Sequence, residues 1–406
     1  MNYRSLFLDD WHISRMEGLE RRGHPAKRYA GNPVIARQFP WEQCRVQIYG
    51  RCIVFNEETR RYQMYYIAQP RCEHYPNVTV GGQKKVGWVT LPAYAESEDG
   101  MHWERPLFKD VPFEDCAETN ILNLLRGSSF EAGILWDPLD PDPQRRYKAF
   151  IWDQNFEMPV PGKVTFPRNE QGIPLIRILD DNGNVAYEQL YDEWGIRIAF
   201  SPDGIHWQNQ PGWAFRCYSD TGQSVVYDPR LGKYVAFGRF NNATFTTGEV
   251  TYGKDTGTAF NIGRNVARVE SDDFLHWSEP ELVLAADDED PESFQINSMP
   301  VDLYEGLYIG LMEVDVRPFP NPLRPMQLAC SRDGRHWTRV AGRFACLAPP
   351  EEGAWDYGDG SGWVRPGTGL FIHGDEVRMY YNAGPGATAY AQDMFAGIGM
   401  ASWRRD

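Results

Sequence analysis

Hydrophobic positions along this chain fall into short runs separated by polar turns, and no stretch shows a sustained helical period. The segment 195–200, GIRIAF, is representative, because it is mostly apolar and a turn sequence follows it at once. Short runs of this kind, bounded by Gly, Asp, Asn and Pro, are typical of β-strands. The pattern therefore predicts an all-β protein.

A turn motif of the form S-x-D-[G/F]-x-H-W occurs four times, at residues 97–103, 201–207, 271–277 and 331–337. Asp-Gly favours a tight turn, and Ser and Asp side chains bond back to turn amides. Because the motif recurs once per unit at the same turn, we interpret it as structural rather than catalytic. We expect each Trp to lie largely buried between neighbouring sheets and each His to bond locally. His206→Ala is expected to cost about 1–2 kcal/mol for a lost buried hydrogen bond.

A second repeat, made of a strand, a polar turn and another strand, occurs five times. The second strands open on Tyr62, Tyr147, Tyr234, Tyr308 and Val377. Together with the turn motif and a final short strand, each unit has four antiparallel strands, which is the architecture of a β-propeller blade. The sequence thus predicts a single five-bladed β-propeller domain over residues 1–406; the alternatives are a pair of β-sandwiches or a solenoid. The approximate bounds are 1–39 for an N-terminal closing segment and 40–110, 120–212, 213–285, 290–345 and 355–406 for the blades.

The charge of the chain excludes several classes of partner. Asp and Glu number 56 against 41 for Lys and Arg, which gives a net charge of −15. A field of this sign repels phosphate backbones and anionic lipid, so we expect neither nucleic acid nor a membrane surface as a partner. No run of about 18 apolar residues is present that would span a bilayer.

The cysteines and the N-terminus bear on location. The seven cysteines are scattered, odd in number and lack a C-x-x-C pair, which fits reduced thiols in a cytosolic protein. The N-terminus reaches the acidic pair Asp9-Asp10 before the hydrophobic stretch of a secretory signal forms. Both features predict a cytoplasmic protein, and the sequence gives no signal for its oligomeric state.

Blade topology predicts which side chains share one site. The innermost strands run in one direction, so their N-terminal ends gather at one mouth of the central channel, where the second strands end. Acids at these positions suit cleavage of a glycosidic bond, which uses one carboxyl group to protonate the leaving oxygen and another to activate water or attack the anomeric carbon. The catalytic candidates are Asp220, Glu131 and Glu313, and the candidate substrate-binding residues are Arg239, Asp153, Arg51, Asn382, Trp355 and Asp356.

Asp220 is the acid that we expect to carry the chemistry. It heads the innermost strand of the third blade, and the neighbouring strand ends at Arg239, whose charge would keep a carboxylate ionised. An ionised acid suits a nucleophile, base or charge stabiliser, so the proton donor must be a more desolvated group such as Glu131 or Glu313. The alternative for each acid is a structural ion pair, and for Trp355 a place in the core.

The five units, the four turns and the opening Gly31-Asn32-Pro33-Val34 with Trp41-Glu42 resemble the five-bladed propeller glycoside hydrolases. This superfamily includes invertases, levansucrases, arabinanases, β-xylosidases and mannoside phosphorylases, and the pattern is most similar to uncharacterised proteins that resemble the invertase N-terminal domain. The resemblance covers nearly the whole chain and implies three acids at the channel mouth. The sequence departs from the invertase pattern in the first blade, where segment 47–51, QIYGR, holds no acid, and it lacks a Glu-Cys motif.

These features predict a glycoside hydrolase that cleaves an oligosaccharide or a furanoside and has a carbohydrate as its small-molecule partner. No metal or cofactor is expected, because the acidic run 287–292 lacks an EF-hand pattern and is interpreted as a solvated loop. One alternative is a mannoside-type phosphorylase, whose phosphate would need cations such as Arg51, Arg239, Arg317 and His24. The other is a non-catalytic carbohydrate-binding propeller, which the missing acid in the first blade favours.

Overall fold

The structure, a computed structural model, shows the chain as a series of antiparallel sheets. It describes residues 6–70, 77–86, 89–124, 130–154, 163–165, 175–180, 182–190, 194–217, 219–240, 264–291, 294–316, 326–357, 363–384 and 396–405. Within these ranges there is no α-helix, only short 3₁₀ turns, and hence no helix long and apolar enough to cross a membrane.

The strands follow one another in the order that the repeats predict. The closing segment holds β1 (Lys27–Arg28) and β2 (Ile35–Ala36), and a 3₁₀ turn (Pro40–Glu42) leads into the first blade. The first blade holds β3 (Arg45–Gln47), β4 (Ile53–Asn56), β5 (Arg61–Gln69), β6 (Asn77–Val80), β7 (Gln83–Val86) and β8 (Leu91–Ser97). The second holds β9 (Glu131–Trp136), a 3₁₀ turn (Pro143–Arg145), β10 (Tyr147–Gln154), β11 (Lys163–Thr165), β12 (Leu175–Leu179), β13 (Val185–Leu190), β14 (Trp194–Ser201) and β15 (Gln208–Asn209). The third holds β16 (Ser224–Asp228), β17 (Lys233–Gly238), β18 (Val266–Ser271) and β19 (Glu281–Leu284). The fourth holds β20 (Phe294–Ser298), β21 (Val301–Tyr304), β22 (Leu307–Val316), β23 (Met326–Ser331), β24 (Trp337–Arg339) and a 3₁₀ turn (Ala341–Arg343). The fifth holds β25 (Trp363–His373), β26 (Glu376–Gly384) and β27 (Gly397–Arg404).

Each blade is built on an antiparallel sheet, whose strands lie side by side in order from the central channel to the outside. In the third blade, for example, the order from the centre is β16, β17, β18 and β19. The innermost strands contact one another around the ring, from β4 through β9, β16 and β21 to β25, and β27 of the fifth blade contacts β3 of the first. These five sheets form the five-bladed β-propeller that the repeats predict, while β6–β7 and β11–β13 make two further small sheets among the described residues.

The N-terminal segment pairs with the last strand of the chain. β1 and β2 both pair with β27, the first through Lys27 and Ser402. Between them, the Asn32 side chain donates to the Met400 carbonyl and accepts from the Met400 amide, each at 2.8 Å. The Gly-Asn-Pro-Val segment thus has a structural part here, because it joins the start of the chain to the fifth blade.

The four turn motifs share one geometry. In the second copy, Ser201 Oγ accepts from the Gly204 amide at 2.9 Å, and Asp203 accepts from the His206 amide at 2.8 Å. The His206 ring bonds the other Asp203 oxygen through Nδ1 at 2.6 Å, and the Trp207 indole donates to the Gly204 carbonyl at 2.9 Å. The other three copies repeat these contacts. Each His therefore bonds locally within its own turn.

Each motif Trp packs against the blade that precedes its own. The ring pairs and centroid distances are Trp103–Tyr380 at 6.0 Å, Trp207–Tyr65 at 5.9 Å, Trp277–Phe150 at 4.8 Å and Trp337–Phe237 at 5.6 Å. Trp207 is 5% exposed, whereas the other three are partly exposed. The turns thus fasten neighbouring blades to each other, with the largest burial between the first and second.

We expect Trp207→Ala to lower the free energy of unfolding by about 3–5 kcal/mol, because an indole packed between two blades is lost. His206→Ala should cost less than about 1 kcal/mol, since the His206 side chain is 65% exposed and its bond to Asp203 is a surface pair. The expectation of a buried hydrogen bond at His206 is therefore wrong. Urea unfolding measures both changes, and equal losses in the two variants would contradict this assignment.

One cysteine departs from the prediction. Among the described residues Cys52, Cys116, Cys217, Cys330 and Cys346 are free thiols, whereas Cys44 is disulfide-bonded. The prediction of reduced thiols throughout is therefore wrong at Cys44. Because structural disulfides persist in oxidising compartments, this bond does not favour the cytoplasmic location that the sequence predicts.

Candidate active site

At one end of the channel lie the N-terminal ends of the innermost strands, and the long connections within the blades leave from the same end. We call it the mouth and define it by the strand ends at Arg45, Glu131, Ser224, Phe294 and Trp363. The connections between second and third strands that leave from this end are 70–90, 155–193, 239–265, 317–325 and 385–396. At the opposite end the first and second strands are joined by short turns, such as 57–60 and 229–232. Because binding residues concentrate where long connections meet a rigid scaffold, the mouth is the candidate site.

Glu131 is the first residue of β9, which places it at the mouth end of the second blade. Its Oε2 atom is buried and has no hydrogen-bond partner among the described residues. Burial raises the pKa of Glu131 to about 7, although Arg239, Arg45 and Arg365 lie close enough to lower it. A carboxyl group with this pKa is protonated in about half of the molecules at neutral pH, as a proton donor requires.

Asp220 lies in the segment before β16 and forms an ion pair with Arg239, which follows β17. The Arg239 Nη2 also donates to the Asp220 backbone carbonyl at 2.8 Å. The Arg239 side chain is 3% exposed, whereas that of Asp220 is 28% exposed. Since arginine stays charged at physiological pH, this arrangement presents an ionised carboxylate to a ligand at the mouth.

Glu313 lies in the second strand of the fourth blade, β22, and is fully buried. Its Oε1 pairs with Arg365, while its Oε2 accepts from Asn297 Nδ2 at 2.8 Å and from the Ser298 hydroxyl at 3.1 Å. Three donors to one carboxylate favour its charged form. Glu313 therefore suits a charge stabiliser or a base better than a proton donor, which favours Glu131 for that role.

Tyr49 links these groups across the channel. Its hydroxyl accepts from Asn297 Nδ2 at 3.3 Å and lies 3.2 Å from Thr221 Oγ1. The Thr221 hydroxyl already donates to the Asn297 carbonyl at 2.9 Å, so Tyr49 is the donor in its bond to Thr221. The Arg365 guanidinium carbon lies 5.5 Å from the centre of the Tyr49 ring. Residues of the first, third, fourth and fifth blades thus form one cluster, and Glu131 adds the second blade.

Three arginines at the mouth are absent from the sequence-based candidates. Arg45 begins β3, Arg365 lies near the start of β25, and Arg264 donates to Asn297 Oδ1 at 2.7 Å. Burial lowers the pKa of Arg45 to about 10, an effect that the charge of Glu131 opposes and the like charge of Arg365 adds to. The positional rule that selects Glu131 also covers Arg45 and Arg365, so the sequence did carry a signal for both.

Two predicted binding residues are held by contacts within the propeller, and one of them, Arg51, lies deeper in the channel. Arg51 pairs with Asp302 of the fourth blade at 2.6 Å and donates to the Ile134 carbonyl at 3.0 Å. Ile134 is three residues along β9 from its mouth end, or about 10 Å at the usual rise of a strand. Asn382 is fully buried, and its amide bonds both the N–H and the C=O of Ile48. It therefore fixes the backbone of the first blade and has no exposed surface to offer a ligand.

The remaining three predicted binding residues have structural contacts outward of the channel. Asp153 pairs at 3.2 Å with Arg197 on the neighbouring strand β14. Asp356 accepts from Arg28 of β1 at 2.7 Å, which ties the fifth blade to the closing segment. Trp355 packs beside β27, where glycines leave room for its ring. Their part in substrate binding stays a prediction.

The cations considered for phosphate lie in different places. Arg239 is at the mouth, Arg51 is deeper in the channel, and Arg317 lies outside the described residues. His24 lies at the opposite end of the channel, where its carbonyl accepts from the Trp403 indole at 2.7 Å. If phosphate binds at the mouth, Arg45 and Arg365 are thus better placed than Arg51 and His24.

The described part of the chain contains no group of three or more metal-ligating side chains that could hold an ion. In the acidic run, Asp287 and Asp290 both pair with Arg343. Glu292 of the same run lies outside the described residues. Asp290 also pairs with Arg339 at 3.1 Å, so the charges of these two aspartates are compensated by two arginine side chains.

Comparison with known proteins identifies the fold. No family model and no curated protein matches this sequence. Among solved structures, a β-1,2-mannobiose phosphorylase from Listeria innocua with bound β-1,2-mannobiose has a TM-score of 0.51 at 11% identity, over 93% of this chain and 96% of its own. A protein solved as an RGII complex has a TM-score of 0.52 at 13% identity, over 93% of this chain and 92% of its own. A glycoside hydrolase has a TM-score of 0.51 at 12% identity, over the same shares. This chain therefore shares the fold of these proteins over nearly its whole length.

Proposed function

We propose that the mouth is the active site of a glycoside hydrolase in which Glu131 donates the proton to the leaving oxygen. The observation that carries the proposal is the Glu131 carboxyl group, which is desolvated, has a pKa raised to about 7 and lies in one cluster with carboxylates held by arginines. Cleavage of a glycosidic bond uses two carboxyl groups, of which the surroundings keep one protonated and the other ionised. The shared fold with a glycoside hydrolase and a mannobiose phosphorylase supports the same class.

The other two acids take complementary roles. Asp220 is accessible and paired with Arg239, so it is the better candidate to attack the anomeric carbon or to activate water. Glu313 is fully buried and held by donors on both oxygens, so its charge acts on the site through Arg365 and through the field at the mouth. The substrate would be an oligosaccharide or a furanoside, bound as a small molecule.

A mannoside-type phosphorylase is the second candidate. Inorganic phosphate would replace water as the attacking group, and it needs cations. The observation in its favour is that Arg45, Arg239 and Arg365 lie at the mouth, close enough to act on Glu131. A non-catalytic carbohydrate-binding propeller is the third, and it would need no proton donor.

A panel of aryl glycosides, assayed with and without inorganic phosphate, separates the three candidates. We expect aryl alcohol release without phosphate by the wild-type protein, and slower release by Glu131→Gln, with the largest loss on the glycosides whose leaving group is most basic. Release only with phosphate would favour the phosphorylase. Carbohydrate binding with no release in either buffer would contradict both enzymes and leave the binding propeller.

A further inference from the structure

The fifth blade lacks two side chains that join the other blades to their neighbours. In the first four blades the second strand opens on a tyrosine whose hydroxyl bonds a side chain of the preceding blade around the ring. The pairs are Tyr62–His373, Tyr147–Asn56, Tyr234–Asp137 and Tyr308–Asp228. The fifth blade has Val377 at this position and no copy of the turn motif with its tryptophan. The boundary between the fourth and fifth blades therefore has neither of the two side chains.

A cavity of about 380 Å³ lies at this boundary. Ile309 and Leu328 of the fourth blade line it on one side, Leu370 and Val377 of the fifth line it on another, and Leu8 of the closing segment lines it on a third. Small-molecule sites are commonly concave, of about 300–1,000 Å³, and lined mostly by apolar side chains. Because the second strands begin at the end of the channel opposite the mouth, this inter-blade cavity is separate from the candidate active site.

Aromatic rings border the inter-blade cavity. Phe344 follows the 3₁₀ turn of the fourth blade, Trp403 lies in β27, and Phe7 belongs to the closing segment. The Trp403 indole donates to the His24 carbonyl at 2.7 Å, which fixes the orientation of its ring. Phe7 is 56% exposed, so a ligand can reach the cavity from solvent. A flat apolar ring suits these surroundings, because aromatic rings pack favourably edge to face or in offset stacks.

The ionisable groups that line the cavity indicate the charge of the ligand. The arginine and histidine side chains of the lining are Arg21, Arg22, His24, Arg404 and Arg405, and no acidic residue of the described part of the chain lines it. Arginines of this set pair with acids outside the lining, in the pairs Arg21–Asp10, Arg22–Glu20 and Arg405–Glu305. A guanidinium group has five N–H donors, so such a pair leaves donors for a second anion. The lining therefore favours a ligand with a negative charge.

We propose that the inter-blade cavity binds a small aromatic carboxylate, with the ring among the apolar side chains and the carboxylate at the arginines. Guanidinium groups suit this anion because their planar N–H pairs match its two oxygens. The Arg22 side chain is 75% exposed and its pair with Glu20 lies at the surface, so a ligand carboxylate can take over its donors at little cost. The site is outside the mouth, and the proposal does not depend on the function proposed there.

Calorimetric titration of the full-length protein with 2-naphthoate tests the proposal, and 2-naphthamide serves as a neutral probe of the same shape. We expect naphthoate to bind at least about tenfold more tightly than the amide. Val377→Tyr introduces the side chain that the other four blades have at this position, so it should fold, fill the cavity and weaken naphthoate binding at least about tenfold. The matched control is Leu139→Tyr, which adds the same side chain at a position of the second blade that is 85% exposed and should bind as wild type does.

A second pair of variants tests the charge without changing the apolar side chains. Arg22→Gln alters an exposed side chain, so it should fold, weaken naphthoate binding and leave naphthamide binding unchanged. Arg15→Gln alters an arginine outside the lining that is 79% exposed, so affinity for both probes should stay at the wild-type value. Absence of naphthoate binding, equal affinity for the two probes, or binding that neither Val377→Tyr nor Arg22→Gln weakens would overturn the proposal.

Discussion

Glu131→Gln is expected to lower kcat/KM by about 10²–10⁴-fold on a substrate whose leaving group needs protonation, which is the usual range for loss of a general acid. The glutamine side chain has nearly the shape of the carboxylic acid but cannot give up a proton. Because the buried Oε2 of Glu131 has no hydrogen-bond partner among the described residues, the amide should fit with little change in structure. Steady-state kinetics measures the loss in kcat/KM, and circular dichroism checks that the variant folds.

The pH dependence of this variant provides a second readout. In the wild type, kcat/KM should fall as the pH rises above about 7, because burial raises the pKa of Glu131 to that value and the ionised form cannot donate. The pH profile of Glu131→Gln should lack this decrease in kcat/KM. A raised pKa also means that the contribution of Glu131 to stability is lost as the pH rises through about 7, so Glu131→Gln should unfold at a higher temperature than wild type at pH 8. Near-wild-type turnover with an unchanged pH profile would remove Glu131 from the site.

Asp220→Asn is expected to fold normally and to lose at least about 10²-fold in turnover. The amide preserves the shape of the side chain but removes the negative charge that Arg239 holds at the mouth. Kinetics on the same substrate measures the loss.

The matched control is Asp272→Asn, which neutralises an exposed aspartate that pairs with Lys233 at the edge of the third blade. It should turn over substrate at the wild-type rate. If the two asparagine variants have the same activity, Asp220 has no part in the reaction.

The fold could be predicted from the sequence because it is built from local contacts that repeat. Each turn is stabilised by hydrogen bonds of side chains within seven residues, such as Ser201, Asp203 and Trp207. Every copy of the turn therefore has the same residue types at these positions. The exposure of His206 and the disulfide of Cys44 have no signature in these repeats, and both expectations were wrong.

The sequence predicted which strand ends meet at the candidate site, but not the direction or the contacts of the side chains there. Strand position placed Glu131 and Asp220 at the mouth, because it depends on topology alone. The direction of a side chain depends on register, since a shift by one residue turns a strand side chain to the other face. Asn382 bonds the backbone at Ile48, and Arg51 lies in the break between β3 and β4, where its partner comes from another blade. Neither contact has a signature in the local sequence.

The leaving-group dependence of Glu131→Gln tests whether Glu131 donates the proton to the departing oxygen. The variant and wild type are compared on two glycosides of the same sugar, one with a dinitrophenyl leaving group and one with an alkyl leaving group. A proton donor matters only when the departing oxygen is basic, so we predict a loss of at least about 10²-fold on the alkyl glycoside and a much smaller loss on the dinitrophenyl glycoside. Equal losses on both substrates would contradict the assignment of Glu131 as the proton donor at the propeller mouth.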